Sequence, residues 1–265
     1  MPNLPTHVEL AWRAVDRLSL PLPAGEMGCY LLGATAPDVR IITERPRIET
    51  HFFDLGTGNM GDGVAGLFAA YPELRSPVSD AQAAFVAGYL THLVADETWI
   101  VSMYRRYFDG PHIGGSGGFS SRDATQLYDR AAQLVLDQAG ERRVRSLLTF
   151  LDEVGDEVEG LAAGPLDVEV VRNWRVWALD FLGGQRPYSW ERLRHMADRI
   201  SYRDPDHPSH EIAERFLSDI PAGLKTLHAG VPESELDGYI ERAVDNLARV
   251  VGEYLAVGGV GAVGV

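Results

Sequence analysis

Between Ser79 and Phe108 the apolar residues recur at helical spacing and cover almost the whole circumference of the helix they would form. A helix that is apolar on every side is a core element, so the rest of the chain must wrap around it. Ser79 or Asp80 can cap its start, and Gly110-Pro111 ends it. His92 and Asp96 interrupt this apolar surface. Four residues apart, they share one face of the helix with Phe85, Gly88, Trp99 and Met103, so that face points inward. A buried carboxylate needs a partner, because leaving it unpaired is very costly. A structural His–Asp hydrogen bond would meet that need, and so would a metal ion.

With 265 residues, 45% hydrophobic and 23% charged, the chain can build one core of its own. No apolar window of about 18 residues suggests a membrane span. Met1 to Leu10 lacks the basic start and apolar run of a secretory signal, so the expected location is the cytoplasm. The single cysteine, Cys29, excludes an internal disulfide and a thiolate metal cage. Any metal must be held by imidazole and carboxylate, a donor set that suits zinc, iron or manganese. A net charge of −14 and a single lysine, Lys225, argue against nucleic acid or stable anchoring at an anionic membrane.

Helical periodicity extends over nearly the whole chain, and period-two alternation is absent. The expected fold is all-α, a single multi-helix domain over 1–257 built around the buried, metal-binding central helix, with a flexible Gly/Val tail over 258–265. Expected helices cover Pro5–Leu18, Glu26–Ala34, Val64–Ala70, Ser79–Phe108, Arg122–Ala139, Glu141–Leu161, Val168–Phe181, Trp190–Ile200, Pro208–Leu217 and Glu233–Val257. Val39–Leu55 reads as an irregular arm. Gly56–Gly63 and Asp109–Phe119 read as glycine-rich loops, and Asp54, Asn59 and Asp62 do not match a calcium-loop spacing. Trp174, Trp177 and Trp190 read as core residues.

His7 lies on the apolar stripe of the first helix with Ala11, Ala14 and Leu18. Asp38 follows Pro37, which breaks the preceding helix and holds the aspartate at an element end. His51 sits in the irregular arm beside Phe52-Phe53. Each alone reads equally as a satisfied core histidine or a capping aspartate. Together they form the series His–Asp–His–HisxxxAsp within the first 96 residues, while the other five histidines are scattered. The three histidines each follow a threonine, Thr6, Thr50 or Thr91, whose hydroxyl could support a ligand.

Thr6-His7, Gly33-Ala34-Thr35-Ala36-Pro37-Asp38, Thr50-His51 and the run Phe85 to Asp96 resemble the zinc-dependent phospholipase C family, over roughly the first 100 residues. The resemblance implies an all-helical fold holding two or three Zn2+ ions. By position, His51, His92, Asp38 and Asp96 would hold one ion. His7 and Asp96 would hold a second, with Asp96 as the bridge. It implies hydrolysis of a phosphodiester or phosphomonoester, of small-molecule or phospholipid origin, by a metal-activated water with Asp38 as base.

The chain departs from that pattern after Asp96. The family's third zinc uses a later histidine and a HisxxxGlu helix, and nothing of that spacing follows here. His112 is the nearest replacement. His210 and Glu214, with His207 nearby, form a HisxxxGlu pair far downstream that reads better as surface decoration. Arg40, Arg45 and Arg47 lie between proposed ligands, where they would clamp a phosphate or be solvated. Two other readings stay open: a di-iron or other redox carboxylate–histidine protein, and a non-catalytic helical protein with a structural metal and an acidic partner-binding surface.

Overall fold

The computed structural model describes residues 1–18, 22–23, 25–109, 119–155 and 158–257. The fold is all-α, and among the described residues there is no strand, only an isolated bridge between Ala163 and Leu166. The α-helices are α1 (Leu4–Arg17), α2 (Met27–Gly33), α3 (Arg40–Thr43), α4 (Ile48–His51), α5 (Asp62–Ala70), α6 (Asp80–Trp99), α7 (Arg122–Glu153), α8 (Val168–Gly183), α9 (Arg192–Ile200), α10 (Pro208–Ser218), α11 (Ile220–Gly230) and α12 (Glu233–Val257). No helix is long and apolar enough to cross a membrane.

Helix α6 is the axis of the molecule. Ser79 caps it by accepting from the Gln82 amide, and the Gln82 side chain in turn accepts from the Val78 amide. From Ala83 to Trp99 every residue is buried. Two apolar clusters meet along it. Phe85, Tyr89 and Leu90 pack with α2, α8 and the end of α7, whereas Val94, Trp99 and Met103 pack with the start of α7, α9 and α12. Truncating a side chain as enclosed as Trp99 costs about 3–5 kcal/mol.

The contact of α2 with α6 depends on two glycines. A Cβ on Gly88 would lie 1.9 Å from the Tyr30 carbonyl oxygen, and one on Gly33 would lie 2.0 Å from that of Phe85. Only glycine permits this approach of two backbones.

Several expected boundaries need correction. Helix α6 continues as a π-helix over Ile100–Phe108. The hydroxyls of Thr98 and Ser102 donate to the carbonyls of Val94 and Thr98, four residues back, and so compete with the α-helical amides there. The arm 39–55 is not irregular throughout, since α3 and α4 lie within it. The two helices expected across 122–161 are one continuous α7 ending at Glu153. Gly140 does not break it, because it lies against Glu9 of α1, where a Cβ would sit 3.3 Å from the Glu9 side chain. Helix α11 was not expected; Asp219 caps it through the Ala222 amide, with Pro221 in its first turn. His112, the loop 110–118 and the tail 258–265 lie outside the described residues.

Candidate metal centre

The structure brings together the five residues read as ligands. His7 comes from α1, Asp38 from a 3-10 turn over Ala36–Val39, His51 from the last residue of α4, and His92 and Asp96 from α6. Four of them are buried, and Asp38 keeps 20% of its side chain exposed. Two groups of donor atoms fall within 4.8 Å of one another: His7, His92 and Asp96, and Asp38, His51 and His92. His92 belongs to both. Asp96 spans them, with Oδ1 3.4 Å from His7 Nε2 and Oδ2 3.6 Å from His51 Nε2.

The groups around the rings bear on which nitrogens carry protons. His92 Nδ1 lies 2.9 Å from the Ala34 carbonyl oxygen, which can only accept, so Nδ1 holds the proton and Nε2 is bare. The Thr50 hydroxyl lies 2.9 Å from His51 Nδ1 and 3.3 Å from the Arg47 carbonyl. When it donates to the carbonyl it accepts from Nδ1, and His51 Nε2 is then bare, the tautomer a metal ligand needs. These two Nε2 atoms face each other at 3.3 Å. In the tautomer that leaves both bare, a cation can join the two lone pairs. His7 Nδ1 is buried with no hydrogen-bond partner, and His7 Nε2 and Asp96 Oδ1 face each other at 3.4 Å without hydrogen-bond geometry. His7 stacks on His92 with centroids 3.7 Å apart. Orphaned buried donors and acceptors of this kind are costly without a further group. The residues present therefore fit divalent cations.

Electrostatics keep the set ready for metal. Burial pushes His51 well below its usual range, with the Arg47 charge adding to it, and burial with nearby His7 pushes His92 to about 4. Both rings are neutral near pH 7, as ligands must be. Burial alone would raise Asp96, but the contact with His7, the charge that His92 takes up in acid and the charge of Arg47 outweigh it and hold the carboxyl well below its usual value. Arg47 itself donates to Asp96 Oδ2 at 2.6 Å and to the Phe53 carbonyl at 3.1 Å. Of the threonines, only Thr50 serves its neighbouring histidine. Thr6 donates to Asp137 and Thr91 to the Gly88 carbonyl.

A cavity of about 460 Å³ opens onto the set, with Asp38 and Asp96 in its lining. Arg40 and Arg47 line it too, but Arg45 does not; its guanidinium donates to the Pro165 carbonyl. His207 caps α10, His210 contacts the Asp204 carbonyl and Glu214 pairs with Arg194, so this trio stays on the surface. Trp174 is buried and stacked on Trp177, and Trp177 reaches the cavity wall. Trp190 packs on Phe216.

Sequence reasoning did not find the far wall. Asp129 and Arg130 of α7 and Arg192 and Arg199 of α9 all line the cavity, as does Met1, whose amino group is pushed down to about 6 by burial. One signal for α7 was available. Asp129, Gln133 and Asp137 recur every four residues on a face otherwise apolar, and all three are buried. Asp129 accepts from Trp99 Nε1 and Gln133 Nε2, while Asp137 accepts from Asn3 and Thr6. Glu97, next to Asp96, was missed as well. It accepts the amides of Gly61 and Gly63, tying the glycine-rich loop to α6, and burial raises its pKa to about 7 despite those bonds.

Comparisons with family models, curated proteins and solved structures gave no match to this chain.

Proposed function

We propose that this protein is a metal-dependent phosphoesterase that hydrolyses a small phosphodiester or phosphomonoester. The observation that carries this reading is the gathering of His7, Asp38, His51, His92 and Asp96 into two donor groups, with His51 Nε2 and His92 Nε2 3.3 Å apart, at a cavity lined with arginine. Asp38, His51 and His92 would hold one cation through the single free lone pair of His92 Nε2, and His7 with Asp96 another, with Asp96 near both. Zinc suits the imidazole-rich donors best, and iron or manganese is compatible with them. Bound there, divalent cations supply polarisation of a phosphoryl oxygen and a lowered pKa for a water.

The remaining chemistry belongs to the chain. Among the described residues Asp38 accepts no hydrogen bond, and its partly exposed carboxylate faces the cavity, where it can take the proton of an attacking water. The Arg40 guanidinium, whose buried Nε has no hydrogen-bond partner, opposes the charge on the phosphoryl oxygens. Ala34, through His92, and Thr50, through His51, fix ring orientation without entering the cavity.

The 2.6 Å Arg47–Asp96 pair favours a second reading, in which the aspartate is satisfied within the chain and the cluster is structural. Elemental analysis of the wild type and of His92→Ala/Asp96→Ala separates the two. Two or three zinc, iron or manganese ions per chain, lost in the variant, together with turnover of any member of a phosphoester panel, support the enzyme. A metal-free protein after reconstitution removes it.

A further inference from the structure

The cavity carries more positive charge than one phosphoryl group requires. Five arginines line it, Arg40, Arg47, Arg130, Arg192 and Arg199, against three aspartates, Asp38, Asp96 and Asp129. This excess is concentrated in a chain whose net charge is −14. Arg47 is committed to Asp96, and Arg40 lies in the turn of chain that follows Asp38. The other three arrive from α7 and α9, elements distant in sequence from all five metal-donor residues.

We propose that the cavity takes a small organophosphate bearing a second anionic group, a further phosphate or a carboxylate, seated on Arg130, Arg192 and Arg199. The proposal rests on the phosphoesterase reading for the first anion only.

The donors of these three side chains are weakly used. Arg192 has contacts of 3.4 Å to Asp137, to the Pro187 carbonyl and to Asn3, all at the long limit of a hydrogen bond. Arg130 reaches Gln133 at 3.2 Å and Asp129 at 3.8 Å. The Arg199 side chain has no hydrogen bond or ion pair among the described residues. Arg199 also stands in the positive field of Arg40 and Arg130, and Arg192 in that of Arg130. Guanidinium groups gathered in this way repel unless an anion joins them, and their planar forks match phosphate and carboxylate alike.

Shape sets the size of the ligand. About 460 Å³ lies in the usual range for small-molecule sites. Trp177, Phe181 and Met196 supply an apolar wall for the carbon frame between the two anions. A single phosphate dianion would leave most of the arginine charge unopposed, and a two-anion ligand would not.

The test compares propyl phosphate with propane-1,3-diol bisphosphate by calorimetric titration into zinc-reconstituted and metal-free protein. The bisphosphate is expected to bind tighter by roughly tenfold or more, the scale of one or two charge-assisted hydrogen bonds. Arg130→Gln/Arg199→Gln should lose that preference while its circular dichroism and metal content match wild type. Should the double variant not fold, Arg199→Gln alone is used, since that side chain is at the surface of the cavity. Arg172→Gln, an exposed arginine paired with Glu159, is the control that keeps the preference. Equal affinities in wild type, or a preference that survives Arg199→Gln, overturns the subsite even if metal binding and hydrolysis hold. A preference that the variant removes, in a protein without metal or turnover, sustains the subsite and removes the phosphoesterase.

Discussion

His51 Nε2 and His92 Nε2 face each other across 3.3 Å, the His92 ring anchored through Nδ1 at the Ala34 carbonyl and the His51 ring through Nδ1 at the Thr50 hydroxyl. A cation held by both nitrogens would add an interaction that the bare protein lacks. Zinc should therefore raise thermal stability. At free metal a hundredfold above Kd the gain is about 2.7 kcal/mol. Scanning calorimetry with and without chelator measures it, and His92→Ala should abolish the increment. The surface pair His210→Ala/Glu214→Ala should leave both the increment and the metal content unchanged. An increment that persists in His92→Ala would remove the ring pair from the metal site.

Two buried groups of opposite sign, His92 and Asp137, act on acid stability in the same window. His92 has a depressed pKa of about 4, so it contributes stability above its unfolded value near 6.5, and that contribution is lost as pH falls toward 4. Asp137 has a raised pKa of about 6, caused by burial that outweighs the nearby Arg192 charge and the hydrogen bonds from Thr6 and Asn3. Its contribution is full below about 3.9 and is lost as pH rises through 6. Each effect is on the order of 3 kcal/mol, and between pH 4 and 6 they oppose. Metal-free wild type should show a shallow stability profile in that window. Asp137→Asn should fall more steeply with acid, which urea titrations at half-unit pH steps will show. A steeper fall in wild type than in Asp137→Asn contradicts the assignment.

Gly88→Ala should act on the centre from a distance. The added carbon would lie 1.9 Å from the Tyr30 carbonyl oxygen, so α2 must move off α6. Ala34 follows α2 and carries the oxygen that orients His92. The expected cost is about 3 kcal/mol or more, beyond ordinary overpacking because backbone rather than side chain must give. Metal content should fall with it. An unfolding midpoint equal to wild type in urea would contradict the close contact.

Legibility in the sequence divides along contact range. The apolar circumference of 83–99 and the HisxxxAsp within it are local patterns, and both lead directly to α6 and its buried histidine and aspartate. The candidate ligands His7, Asp38 and His51 emerge from their order along the chain, and the structure gathers them with His92 and Asp96. Gly140 misleads, since glycine as a helix breaker is a local rule and the packing of α1 against α7 overrides it. Arg130, Arg192 and Arg199 have no local mark at all. A solvated arginine and a cavity arginine look alike until α7 and α9 are placed beside α1. The same limit explains Arg45 and Arg47, close neighbours in the arm, of which one leaves for Pro165 and the other meets Asp96.

Arg47→Gln probes the conflict between that arginine and a cation. The guanidinium donates to Asp96 Oδ2 at 2.6 Å, on the oxygen that also approaches His51. It stabilises the carboxylate when metal is absent, and it opposes a divalent ion when metal arrives, since like charges repel strongly at low exposure. Replacing it with neutral glutamine should destabilise the metal-free protein and tighten metal binding, so the stabilisation given by zinc grows relative to wild type. Phosphoester binding should weaken in the same variant, because one positive wall of the cavity is gone. Competition against a fluorescent zinc chelator measures the first effect, and KM for the best substrate of the panel measures the second. Weaker zinc binding in Arg47→Gln would mean that the arginine holds Asp96 in the geometry the metal needs, and that the two cations do not compete.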